Sequence, residues 1–127
     1  MTAVRVGRVL VGLVVGLAAA GCSNADEPAV RDVASSFAGG DAQTRCGLLA
    51  PGTLPSLLAD GACPEAIGQL PLGSGGVVSV EVWGLDALVH LTDDTLFLTR
   101  TDAGWQVSAA ACQSDGEGSY DCQLEAP

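Results

Sequence analysis

The chain contains no lysine, and its positive charge rests on five arginines: Arg5, Arg8, Arg31, Arg45 and Arg100. Against them stand 15 carboxylates, for a formal charge of −10. Such a surface repels phosphate, so nucleic acid is excluded as a partner and anionic headgroups are disfavoured. Aromatic residues make up only 4% of the chain, which leaves a core to be built mostly from Leu, Val and Ala. A core that economical calls for covalent help in a domain of this size. His90 is the only histidine and so the only imidazole available as a general base. No two cysteines have the two-to-four-residue spacing of a zinc knuckle, and no metal or cofactor is expected. The uncharged run from Val9 to Cys22 falls short of the roughly 20 apolar residues that a membrane-crossing helix needs.

What the amino terminus does have is the three parts of a secretory signal. Arg5 and Arg8 supply positive charge, Val9 to Ala20 is an apolar stretch, and Ala19, Ala20 and Gly21 are small residues acceptable to a signal peptidase. Cys22 follows at once, in "LAAAGCSNADEP". The run Ala19-Ala20-Gly21-Cys22 resembles the lipobox of bacterial lipoproteins, with Ala19 standing where leucine is usual. The resemblance implies lipidation of Cys22, cleavage after residue 21 and anchoring through acyl chains, palmitate among them. Two such chains suffice for stable attachment. The expected organisation is therefore a signal peptide at 1–21, a polar tether at 22–28 and one α+β domain at 29–126. Without residues 1–21 the charge becomes about −12, because Arg5 and Arg8 leave and every carboxylate stays.

Setting Cys22 aside leaves Cys46, Cys63, Cys112 and Cys122, an even set that implies two disulfides in an exported chain. The sequence pattern arranges them. Val30, Val33, Ala34 and Phe37 recur at i, i+3, i+4 and i+7, a helical stripe that Asp26 can cap and Gly39-Gly40 can end. A second helix is expected after Asp41, carrying Ala42, Cys46 and Leu49 on one face and stopping before Pro51-Gly52. Thr53 can cap a third, with Leu54, Leu57 and Leu58, and Cys63-Pro64 opens a fourth through Ile67. "PLGSGG", residues 71–76, reads as a flexible connector, since a phosphate loop would need Lys-Ser or Lys-Thr and a following helix.

From Val77 the period becomes two. Val78, Val80 and Val82 alternate with Ser79, Glu81 and Trp83, and Ala87, Val89 and Leu91 alternate with Leu88, His90 and Thr92. "TLFLTR", "WQVSAAAC" and "YDCQLE" supply three more strands, and the short turns between them predict antiparallel hairpins. Cys112 and Cys122 then fall side by side in a hairpin, while Cys46 and Cys63 bracket the helical segment. Of the three possible pairings, this layout favours the local one.

"GDAQTRCGLLAPGT", "CPEAI", "VEVWGLDALVHL", "DTLFLTRTDAGWQVSAAAC" and "YDC" together resemble a group of small secreted lipoproteins of actinobacteria. Helices followed by a curved antiparallel sheet of four to five strands are also similar to the cystatin-like fold of nuclear transport factor 2 (NTF2) and its relatives. That resemblance implies a cone-shaped pocket between helix and sheet, though the fold by itself assigns no activity. Pro51, Pro55 and Pro64 interrupt the region where those relatives carry a longer opening helix.

The candidate pocket residues are Trp83, His90, Phe97, Arg100 and Trp105. The aromatic three among them can instead be plain core, and the parity of their strands allows either. Asp93-Asp94 could touch a cation but sits where aspartate is ordinary in a turn. Glu81 and Asp86 flank a hairpin as exposed acids. The functional expectation is a lipoprotein held on the extracytoplasmic face of the cell membrane, with a non-catalytic domain that binds an envelope protein or a small ligand. The alternative is an enzyme of the NTF2-like superfold using His90 with a carboxylate such as Glu81.

Overall fold

The computed structural model describes residues 25–59 and 61–127. The expected signal segment and Cys22 lie outside those residues. Helix α1, Glu27–Gly39, buries Val30, Ala34 and Phe37 completely, the stripe that the 3.6-residue period marks out. It begins two residues inside the segment expected to be tether. Asp26 precedes it but makes no capping bond; its carboxylate accepts instead from Arg100 Nη1 at 3.3 Å, joining the start of the helix to the sheet. Arg45 finishes the other end. Its Nε donates to the Phe37 carbonyl at 2.8 Å and its Nη2 to that of Ala38 at 2.9 Å, while its guanidinium lies 5.5 Å from the centre of the Phe37 ring. The last carbonyls of a helix lack partners of their own, and a cation there also opposes the helix dipole.

Helix α2, Ala42–Gly47, is capped by Asp41, which accepts from the Thr44 N–H at 2.8 Å. The expected continuation through Leu49 does not form. Leu49 makes a parallel bridge with Val107, with Ala50 N donating to Val107 O and Val107 N to Leu48 O, each at 2.8 Å. Those bonds satisfy backbone groups that the helix would otherwise have to satisfy. Helix α3, Pro55–Leu58, has no side-chain cap. Thr53 turns inward instead: it is buried, and its hydroxyl donates to Ser108 O at 2.8 Å. Helix α4, Cys63–Ile67, is tied to α2 by the Cys46–Cys63 disulfide.

The rest is a five-stranded antiparallel sheet in sequence order: β1 Val77–Trp83, β2 Asp86–Leu91, β3 Thr95–Thr101, β4 Gly104–Ser114 and β5 Tyr120–Leu124. The protein is thus an α+β domain, and its helices lie against one face of the sheet. Val89, Leu91, Leu96, Leu98, Val107, Ala110 and Leu124 meet Val30, Ala34, Phe37 and Ile67 there. The space between helices and sheet is packed core. Among the described residues, no helix is long and apolar enough to cross a membrane.

Two extra residues alter the simple alternation. In β1, Val77 faces Leu91 and Ser79 faces His90, so Val78 bulges and is 63% exposed, whereas Val80 and Val82 pack half-buried against the core. In β4, Val107 faces Leu98 and Ala109 faces Phe97, leaving Ser108 unpaired. The slip turns Trp105 and Val107 to the helices and Ala109 to the other side.

The Gly-Ser-Gly-Gly connector is strapped down rather than free. Asp93 accepts from Ser74 N at 3.0 Å and Gly75 N at 2.9 Å, and Asp94 accepts from Gly73 N at 3.1 Å. Arg45 Nη2 holds the Gly73 carbonyl at 3.1 Å, and Thr92 N holds that of Gly76 at 3.0 Å. The successive N–H groups form an anion cradle, and the side chains of the β2–β3 turn already fill it. Asp94 also accepts from Thr95 N at 2.7 Å, Ala111 N at 3.1 Å and Cys112 N at 3.2 Å.

Asp94→Ala should therefore strand four donors and lower the unfolding free energy by about 3 kcal/mol, read by urea titration. A loss of less than about 1 kcal/mol would contradict this role for Asp94. A Cβ on Gly73 would run into both Asp93 and Asp94, whereas one on Gly76 meets nothing within 4 Å. Gly73→Ala should accordingly destabilise by about 1–3 kcal/mol, while Gly76→Ala stays within about 0.5 kcal/mol of the parent.

Candidate functional site

The face of the sheet turned away from the helices is not uniformly polar. Across it runs the row Glu81–Leu88–Phe97–Ala109, set by the pairing of four successive strands. Leu88 and Ala109 are buried, although no helix covers them. What shelters them is β5 and the loop before it. Trp83, Leu88, Phe97, Ala109, Tyr120 and Glu125 are among the residues lining a cleft of about 490 Å³ here. Phe97 and Tyr120 meet edge to face, with ring centres 5.4 Å apart.

Each wall has a local cause. Trp83 ends β1 opposite Asp86, and Gly84, with φ of 59°, turns the chain in a two-residue hairpin. Phe97 and Ala109 flank the β3–β4 bulge, which gives Ala109 its outward direction. Cys112 and Cys122 face each other across β4 and β5 and are disulfide-bonded, fixing Tyr120 beside Phe97. The two disulfides match the local pairing that the strand and helix layout favours. Loops of their lengths stabilise by roughly 2.5 to 3 kcal/mol each in the chain-entropy account. At the rim, Asp115 accepts from the Ser119 hydroxyl and from Glu117 N, and Gly116 and Gly118 take positive φ to let the loop close.

The five candidate pocket residues do not form one unit. Trp83 and Phe97 line the cleft, but Trp105 is core on the opposite face, 6% exposed. The Ser108 bulge is the reason, because it reverses the parity that would have put Trp105 with Ala109. Arg100 pairs with Trp105 on that same helix side and engages Asp26. His90 shares the outer face, where its Nδ1 lies 3.2 Å from Thr95 Oγ1 and its strand neighbour is Ser79. No carboxylate is among its hydrogen-bond partners in the described residues. Glu81 stands opposite Leu88, and Asp93 and Asp94 spend their oxygens on backbone N–H groups. Among the described residues no group of three or more metal-capable side chains assembles.

No family model, curated protein or solved structure matches this chain. The site therefore has to be read from its own chemistry. Leu88, Ala109, Tyr120 and Glu125 escaped the candidate list from sequence. Leu88 and Tyr120 carry an alternation signal that placed them on strands, but only the pairing across three hairpins brings them together.

The acidic groups that do have shifted titrations are structural. Hydrogen bonds from Ser74 N and Gly75 N hold Asp93 below its ordinary 3.8, and the Ser119 hydroxyl and Glu117 N do the same for Asp115. Thr44 lowers Asp41 by its backbone N–H and hydroxyl. A carboxylate with a depressed folded pKa contributes stability that is complete above its unfolded value and is lost as pH falls through the folded one. Urea stability should hold from neutrality to about pH 5 and decline below about pH 4, with Asp93→Asn flattening part of that decline. An acid limb of the same slope in the variant would rule out Asp93 as a contributor. The two tryptophans should also separate cleanly. Trp105→Ala should cost about 3–5 kcal/mol in urea unfolding, and Trp83→Ala, 51% exposed in the parent, less than about 1 kcal/mol.

Proposed function

We propose that the protein is a lipid-anchored envelope lipoprotein of an actinobacterium, with a cystatin-like/NTF2-like domain that binds a small ligand at the outer face of its sheet. The observation that carries the binding reading is the cleft itself. It is a concave, mainly apolar site on a face that the helices leave bare, walled by three aromatic side chains and with no histidine among its lining residues. Supporting the fold assignment are the order of elements, helices before a meander, and the packing of those helices on one face. Unlike the pocket the resemblance implies, this cleft lies on the far side of the sheet, since side chains occupy the cone.

The envelope location rests on Arg5, Arg8, the apolar run and the Ala19–Cys22 motif, together with two disulfides of the kind exported domains keep. An anchored domain with a solvent-facing cleft suits capture of a ligand close to the membrane surface.

Intact-mass measurement of membrane-purified protein should show residues 1–21 removed and a diacylglyceryl group gained. An unmodified chain in the medium would sink the anchor. His90→Ala should leave folding and cellular phenotype intact. Loss of phenotype in a folded His90→Ala protein would instead favour an enzyme using that imidazole.

A further inference from the structure

The cleft has a sign as well as a shape. Glu125 is the only ionisable carboxylate or cation among its lining side chains, and in the described residues it makes no hydrogen bond or ion pair. Glu81 and Asp86 stand on the same face of the sheet, opposite Leu88 and Trp83 respectively. Every arginine of the described residues is employed elsewhere: Arg31 with Glu27 on α1, Arg45 on the end of α1 and the connector, Arg100 with Asp26. With no lysine in the chain, no arginine of the described residues stands on that face to oppose an approaching cation.

The walls add to this. Trp83, Phe97 and Tyr120 present aromatic surface around an apolar floor of Leu88 and Ala109. Aromatic faces attract cations, and ammonium groups bearing alkyl substituents combine that attraction with apolar contact. A volume of about 490 Å³ falls in the range of small-molecule sites and well below the span of a folded partner.

We infer that the cleft takes a small amphiphilic organic cation, an aromatic or branched aliphatic body carrying an ammonium group. The body lies over Leu88, Phe97 and Ala109, and the ammonium sits between the aromatic walls and Glu125. This rests on the binding reading above and assigns its ligand class. Recognition is by charge complementarity at an apolar site, so an isosteric anion meets the same floor but the wrong rim.

The test uses the full chain purified from its producing cells, with 3-phenylpropyl-trimethylammonium, the carboxylate 4-phenylbutyrate and the neutral 4-phenyl-1-butanol as probes. Binding is read by Trp fluorescence and by NMR shifts of the Phe97 and Tyr120 rings. The cation should bind saturably, at least about tenfold tighter than the carboxylate, and should weaken with added salt. Glu125→Gln should weaken it about threefold to tenfold, Trp83→Ala by a comparable factor, and the remote Asp32→Asn should leave it unchanged.

Equal or tighter binding of the carboxylate or the alcohol would overturn the cationic assignment while leaving a ligand-binding cleft. A lysine-rich peptide binding at these rings where the small cation does not would overturn it in favour of a protein partner. Failure of every probe to shift Phe97 or Tyr120 at millimolar concentration would remove both the assignment and the binding reading. Fluorescence and urea unfolding of each variant establish that it is folded before it is scored.

Discussion

Asp94 accepts four backbone hydrogen bonds from three parts of the chain: Gly73 in the connector, Thr95 at the start of β3, and Ala111 and Cys112 in β4. Backbone donors removed from water must find partners, and here one carboxylate serves them all. Ala111 shows what that permits. Its φ of 53° is a left-handed conformation that costs an alanine about 1–2 kcal/mol, and the Asp94 bonds to residues 111 and 112 offset it. Ala111 lies inside the β4–β5 ladder, between the pairs Ala110–Leu124 and Cys112–Cys122. A side chain in the β2–β3 turn thus supports the backbone of the ladder whose outer strand, β5, walls the cleft.

The same economy runs through the polar contacts. Arg45 gathers the end of α1 and the connector, Thr53 ties the helical segment to the β4 bulge, and Leu49 uses the edge of β4 that the short β5 leaves unpaired. Each joins elements distant in sequence, and with the two disulfides they compensate for a core of small aliphatic residues. The structure can therefore leave Trp83, Phe97 and Tyr120 on the far face of the sheet: of the large aromatics, Phe37 and Trp105 suffice for the interior.

Periodicity made much of this legible in the sequence. The stripe Val30, Ala34, Phe37 and the alternations through Val89, Leu91, Leu96 and Leu98 specify helix and strand, because burial on one side imposes the period. The disulfides followed from hairpin order. Faces were less legible, since a single extra residue reverses parity: Val78 and Ser108 each do so, and Trp105 went to the core while Ala109 went to the cleft. Side-chain-to-backbone bonds over long separations leave no periodic trace either. Thr53 and Asp26 look like helix caps from their neighbours alone, and their actual partners, Ser108 and Arg100, are 55 and 74 residues away. "PLGSGG" looks flexible for the same reason, although Gly73 and Gly75 leave room for the side chains of the β2–β3 turn that strap the segment down.

The scarcity of positive charge then has a positional meaning that net charge alone does not convey. A chain of formal charge −10 with its few arginines scattered would present mixed potentials everywhere. Instead the described arginines pair with α1, with Asp26 or with the connector, all away from the cleft face, while Glu81, Asp86 and Glu125 remain on or beside it. Field from those carboxylates falls off over about 8–10 Å in physiological salt, a distance comparable with the cleft itself, so selection by sign acts at the site rather than over the whole surface. Shape admits a small apolar body, the aromatic walls favour a cation, and the engagement of every described arginine elsewhere is what makes the preference one-sided.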